Sequence, residues 1–128
     1  MLYAVDITIP ANTSKDDPYT LDLPITAGVL LRAHIRWRWG SGNLCGIRLL
    51  WAELALLPRT LGEWIVSSPY PYEFMMEHAI TDVPTSVKIE AYNLDDTYAH
   101  NVWVGLELSR GAFSPGWRWL LGELAGMT

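Results

Sequence analysis

The chain has 128 residues, half of them apolar and 18% charged, with a formal net charge of −5. Those totals exclude disorder over most of the length and leave room for one domain with its own core rather than two. The acidic balance argues against a general nucleic-acid binder. The single cysteine, Cys45, excludes an intrachain disulfide and a thiolate metal cluster within one chain.

The first residues, Met1 to Asp6, have no basic n-region and no apolar h-region, so no signal peptide is expected. No apolar run reaches the roughly 20 residues of a membrane span, and a soluble product made in a cytosol is expected. Tyr3, Val5, Ile7 and Ile9 alternate with Ala4, Asp6 and Thr8, which predicts a first strand stopped by Pro10. Residues 11–18 are a polar loop. Tyr19, Leu21, Leu23 and Ile25 predict a second strand, with Pro24 marking an edge or a strand end.

Residues 29–39 carry the longest alternation. Val29, Leu31, Ala33, Ile35, Trp37 and Trp39 are apolar, while Arg32, His34, Arg36 and Arg38 are polar or cationic. Side chains on a strand alternate between faces, so this predicts one strand with a buried face and a basic, wet one. A face this apolar needs a second layer to cover it.

Gly40-Ser41-Gly42-Asn43 is a turn. Residues 44–57 admit two readings. Ile47, Leu50, Trp51 and Leu54 fall at helical spacing, but a strand pair around a tight turn at Ala52-Glu53 is preferred, because strands flank the segment on both sides. Residues 59–71 read as a loop carrying Trp64. Residues 72–79 predict an irregular strand and residues 82–85 a turn. Val87, Ile89 and Ala91 predict another strand, and Val102, Val104, Leu106 and Leu108 the last one. About eight strands with regular turn signals predict an all-β, two-sheet antiparallel sandwich of jelly-roll type over residues 1–108.

Residues 109–128 break the pattern and form a Trp-rich tail. Trp117, Leu120, Leu121 and Leu124 recur at helical spacing behind Ser114 and Pro115, an N-cap followed by a proline at the first helical position. A short helix of this kind is not stable alone in water, so it must dock on its own sandwich or on a neighbour.

The chemistry-bearing residues do not assemble into a known catalytic signature. His34, His78 and His100 lack the spacing of a metal-binding helix, and ordinary hydrogen-bonded histidines are the default. No cofactor is expected. Asp16, Asp17, Asp95 and Asp96 form two acidic loop pairs that could supply oxygen ligands to calcium, but the EF-hand register is missing and turn-forming aspartates are the simpler reading. There is no Gly-x-Ser-x-Gly, and Cys45 reads as a small core residue at a strand end. Glu73 with Glu77, or Glu90 with Glu107, could face one another across strands, yet nothing sets them apart from solvated strand residues. The arginines of residues 32–38 point away from Trp37 and Trp39, which excludes a mixed stacking platform within that strand; acidic partners such as Glu90 or Glu107 are expected instead. No enzyme is expected.

The aromatics are more telling. Trp64, Tyr70 and Tyr72 lie in or beside loops, and Trp103 faces away from Val102 and Val104. Such residues anchor protein interfaces or stack against sugar rings. In the tail, Phe113, Trp117, Trp119, Leu120, Leu121 and Leu124 are interface candidates.

Two stretches, Ile9-Pro10-Ala11-Asn12-Thr13 with Asp17-Pro18, and Ala91-Tyr92-Asn93-Leu94-Asp95-Asp96-Thr97-Tyr98-Ala99-His100, resemble small β-sandwich proteins of phage and prophage structural gene sets. The resemblance covers residues 7–108 and leaves the tail outside it. It implies a virion component, such as a capsid-decorating or capsid-stabilising protein, and carries over no catalytic residue. The partners it implies are further copies of the chain, a trimer being one arrangement, and a capsid or particle protein, with no nucleic acid or membrane. The alternative is a carbohydrate-binding or receptor-binding sandwich that uses the exposed Trp and Tyr side chains.

Overall fold

Alternation turns into strand along most of the chain. The computed structural model describes residues 1–38, 40–60, 62–80 and 85–109, and nine strands lie among them. They are β1 (Leu2–Ile9), β2 (Tyr19–Pro24), β3 (Gly28–Trp37), β4 (Cys45–Trp51), β5 (Leu54–Leu57), β6 (Ile65–Val66), β7 (Tyr72–Ile80), β8 (Ser86–Asn93) and β9 (His100–Leu108). The strands expected from period-two patterning are all present. The two-residue β6, inside the segment read as loop, is an addition that pairs with β4.

The pairing is that of one long hairpin. β1 lies against β9, β2 against β8, β3 against β7 and β4 against β5, all antiparallel. Rolling this hairpin adds β3 to β9 and β4 to β8. The result is a four-stranded sheet, β1-β9-β3-β7, facing a five-stranded one, β2-β8-β4-β5 with β6 also on β4. First strand with last, second with second-last, folded over into two sheets, is the jelly roll. Pro24 sits on β2, which is an edge, where its missing N–H costs no ladder bond.

The inner faces supply the core. Ile7, Ile35, Val104 and Leu106 from one sheet meet Ile47, Leu49, Val87 and Ile89 from the other, all buried. Full burial of each such side chain is worth about 1.5–3 kcal/mol. Cys45, the first residue of β4, is buried, and that burial, with the Asp95 carboxylate nearby, pushes its thiol up to about 11.

The long alternation is interrupted. Val29 and Leu31 are expected on the buried face with Ala33 and Ile35, but the register shifts between Leu30 and Arg32 against both neighbours. This bulge moves Leu30 to the inner face, fully buried, and leaves Leu31 37% exposed. Trp39, the end of that expected strand, residues 82–84 of the expected turn, and the tail residues Phe113, Trp117, Trp119, Leu120, Leu121 and Leu124 lie outside the described residues. The segment 44–57 is a hairpin and not a helix. Its turn residues Ala52 and Glu53 both take left-handed backbone, at φ 50° and 66°, as a tight two-residue hairpin requires.

Ile35 and Leu31 share a parity in sequence but not an environment. Ile35→Ala is expected to cost about 2–5 kcal/mol in urea unfolding, and Leu31→Ser less than about 0.5 kcal/mol. Equal losses at both positions would mean that the bulge is absent.

Candidate interaction face

The outer surface of the four-stranded sheet gathers charged and aromatic residues of all four strands. Asp6 on β1, Trp103 on β9 and Arg36 on β3 are direct cross-strand partners, and Gly105, His34 and Glu73 form the adjoining row on β9, β3 and β7. Residues of one row point to the same side because partners in a ladder share a face. The Arg36 guanidinium lies over the Trp103 ring at 5.2 Å from its centre. The ring leans along β9 across Gly105, where a side chain would collide with it. Glycine at 105 is therefore what lets the indole lie flat on the sheet.

Ion pairs lace the rest of this face. Arg32 reaches Glu73 at 3.6 Å and Glu107 at 3.9 Å, and Arg38 reaches Asp6 at 3.5 Å. His34 Nε2 lies 2.6 Å from Glu107 Oε2. The His34 hydrogen bond, helped by the Arg32 charge, holds the Glu107 carboxyl below its ordinary range. Among the described residues Arg36 has no carboxylate partner, only the indole. These pairs are largely exposed, and each contributes little to stability. Their effect is to fix side-chain positions on the sheet.

Glu107, one of the two acids expected to partner the arginines, does so. Glu90 does not. It lies on the other sheet, where Arg48 Nε donates to it at 2.7 Å and Lys88 approaches at 3.7 Å. Glu90 and Glu107 thus belong to different sheets and cannot face one another.

The four aromatics singled out in the sandwich do not share one surface. Trp103 is on the face just described. Trp64 is on the outer side of the five-stranded sheet and only partly exposed, packed edge-on against Tyr92 at 4.9 Å and covered by the Arg48 guanidinium at 4.1 Å. Tyr72 points to the inner side of β7, stacked on Phe74, with its hydroxyl donating to the Val66 carbonyl. Tyr70 stands free at 74% exposure.

The remaining candidates are accounted for locally. Asp95 Oδ1 accepts from the Thr97 and Tyr98 amides at 2.9 and 3.3 Å, and its Oδ2 meets His100 Nε2 at 2.8 Å. The Thr97 amide and His100 hold this carboxyl below its ordinary range. Asp96 Oδ1 accepts from the Thr97 hydroxyl, and the Asp17 amide donates to Ser14 Oγ. The three histidines stay apart. His34 is on the outer face, His78 is on the inner side of β7 beside Trp51, and His100 is at the opposite end of the sandwich. No set of three His, Cys, Asp or Glu side chains among the described residues is gathered to hold a metal.

The Arg36–Trp103 pair was not readable from residues 29–39 alone. The aromatic partner comes from a strand more than sixty residues downstream, and only the β3–β9 register joins them. Exposed Leu31 and Met75, at 37% and 77%, were missed for the same reason, one hidden by the bulge and one by an irregular strand pattern.

No family model and no curated protein matches the chain. Among solved structures it is similar to a chain of the cyanophage Pam1 capsid asymmetric unit, with a TM-score of 0.50 and 16% identity over 83% of this chain and 81% of that one. It is also similar to the crystal structure of FLHE, with a TM-score of 0.44 and 8% identity over 86% of this chain and 97% of that one. At 16% identity the likeness to the capsid chain is one of fold alone.

Glu107 gives this face a pH signature. A carboxyl held below its ordinary value of 4.5 stabilises the folded state above that pH, and the contribution is lost as pH falls through the lowered value. Wild type is expected to be more stable than Glu107→Gln near pH 7, with the gap narrowing as the pH is taken well below 4.5, read from thermal midpoints. A gap that stays constant across that range would remove Glu107 from the ion-pair network.

Proposed function

We propose that the protein is a non-enzymatic structural subunit of a viral or virus-like particle, one that decorates or stabilises a capsid through contacts with its own copies and with the capsid shell. The observation that carries this reading is the jelly-roll sandwich of this chain together with its likeness in fold, over 83% of its length, to a chain of a cyanophage capsid asymmetric unit. The outer face supports it. An arginine stacked on a tryptophan, ringed by ion pairs, has the composition of an interface anchor. The tail supports it from the sequence side, because Trp117, Leu120, Leu121 and Leu124 give each copy an apolar segment with which to hold another.

Light scattering on the full chain, beside a version ending at Ser109, tests the reading. Ser109 is retained because its amide donates to the Val29 carbonyl and its hydroxyl accepts from the Val29 amide, closing the start of β3. A defined multimer that falls to monomer on truncation, with the unfolding transition kept, is the expected result. Monomers in both preparations at working concentration would sink the assembly role of the tail. Arg36→Glu, an exposed change, is expected to weaken capsid-type association about tenfold or more without lowering the thermal midpoint. An unchanged association constant would take the outer face out of the interface.

A further inference from the structure

The two sheets do not close evenly along their β5 and β7 edges. β5 has four residues and β7 has nine, so much of the inner side of β7 has no strand opposite it. Trp51 lies two residues from the inner-facing Leu49 on β4, on the same face, and pairs with Leu54 across the hairpin beyond a register shift at Leu49/Leu50. Leu54 is therefore an inner-face residue, yet it is 54% exposed. Across the gap, Met76 and His78 of β7 also point inward and are only partly buried. Between these strands lies a cleft of about 350 Å³, lined by Leu54, Leu56, Arg59, Met76 and His78 among others. His78 Nε2 is shielded from water and has no hydrogen-bond partner among the described residues. A buried, unpaired ring nitrogen is costly, and an apolar position left open on an inner face is equally so. The second cost is relieved if apolar side chains fill the cleft and cover Leu54.

We infer that this cleft is the receptor for the apolar segment 117–124 of the chain itself. Leu108, Leu30 and His78 form one row across β9, β3 and β7, so the chain leaves β9 on the same sheet as the cleft, about 10 Å, or two strand spacings, from His78. The eight residues from Arg110 to Trp117 span up to about 27 Å when extended, which covers that distance within one sandwich and reaches a neighbouring one. The segment has the required chemistry. Leu120, Leu121 and Leu124 match Leu54, Leu56 and Met76, and the indoles of Trp117 and Trp119 add apolar area. Exchange of this segment between copies is the step that rests on the function proposed above. The cleft as receptor does not rest on it.

Disulfide trapping in the full-length protein tests the inference. Leu54→Cys is combined in turn with Leu120→Cys, Leu121→Cys and Leu124→Cys. The Leu54 site is exposed enough to accept the change, and native Cys45 is buried with a raised pKa, so it stays out of the reaction. A Thr20→Cys partner on the outer side of β2 replaces Leu54→Cys in the control. At least one pair is expected to oxidise about tenfold more than its control, as a tethered segment at high effective concentration does. A crosslink within one chain supports the cleft as receptor and counts against exchange. A crosslink between chains supports both. No crosslink above control in any of the three pairs overturns the inference, and if a multimer persists in that case, the proposed function survives without it.

Discussion

The last strand holds the first. In the four-stranded sheet β1 has β9 as its one neighbour, and β9 is also what joins it to β3 and β7. The pairing of Leu2 with Glu107 closes nearly the whole described chain into one loop, and the Met1 ammonium adds a hydrogen bond to the Leu108 carbonyl at 2.9 Å. Such a contact is non-local in the extreme. Its loop-closure entropy must be met before β1 gains anything, which places the fold among the slow topologies. It also decides what the outer face is. Remove β9 and Trp103, Gly105 and Glu107 go with it, which takes away the Glu107 contact of His34 and the indole under Arg36 and leaves Arg32 with Glu73 of β7.

The two ends of the sandwich are built on opposite physical terms. At one end Asn93, fully buried, donates to the carbonyls of Ile9 and Tyr98 and accepts from the Asp95 amide and the Cys45 thiol. The Asp95–His100 contact closes the same loop, and backbone bonds between Thr13 and Asn93 tie in the chain after β1. A buried amide with all its groups satisfied fixes one arrangement of four chain segments. Asp95, one of the loop carboxylates that look like ion ligands in sequence, is used up in this seal. At the other end, where β9 finishes and the β4–β5 hairpin turns, Leu54 and His78 remain unsatisfied inner-face positions. The end that is locked in polar bonds has little to offer a partner. The apolar, open end does.

Much of the strand content was legible because alternation is a local signal. The edge position of β2 was legible from Pro24, and the burial of Cys45 from its place at a strand start. What was not legible is what depends on pairing. Nothing in Val29-Leu30-Leu31 marks a bulge, because three consecutive apolar residues satisfy either phase of the alternation. The Ala52-Glu53 turn lacks the Asn or Gly that left-handed backbone favours, so the hairpin had to compete with a helix on paper. Tyr92 alternates with the inward residues of β8 and so reads as exposed. It is 3% accessible because Gly46 beneath it lets the ring lie on the sheet and Trp64 covers its edge. Each miss is a tertiary neighbour that supplies or removes space.

The balance of forces on the outer face limits what it can do alone. Its ion pairs are half-exposed, with Arg32 and Glu73 at 43% and 54% of their side-chain surface, and an exposed pair is worth about 0–1 kcal/mol. Charges arranged in this way fix register and exclude wrong partners more than they generate affinity. Affinity has to come from apolar area, at about 25 cal/mol for each Å² removed from water. On this sandwich that area lies at Trp103, at Leu31 and Met75 farther along the same sheet, and at Leu54 on the open edge, exposed by 37%, 77% and 54% for the last three. The acidic chain thus separates two tasks that a single hydrophobic patch would merge. In the proposed role, the laced arginine face sets how a neighbour sits, and the open edge of the jelly roll supplies the apolar area that holds it.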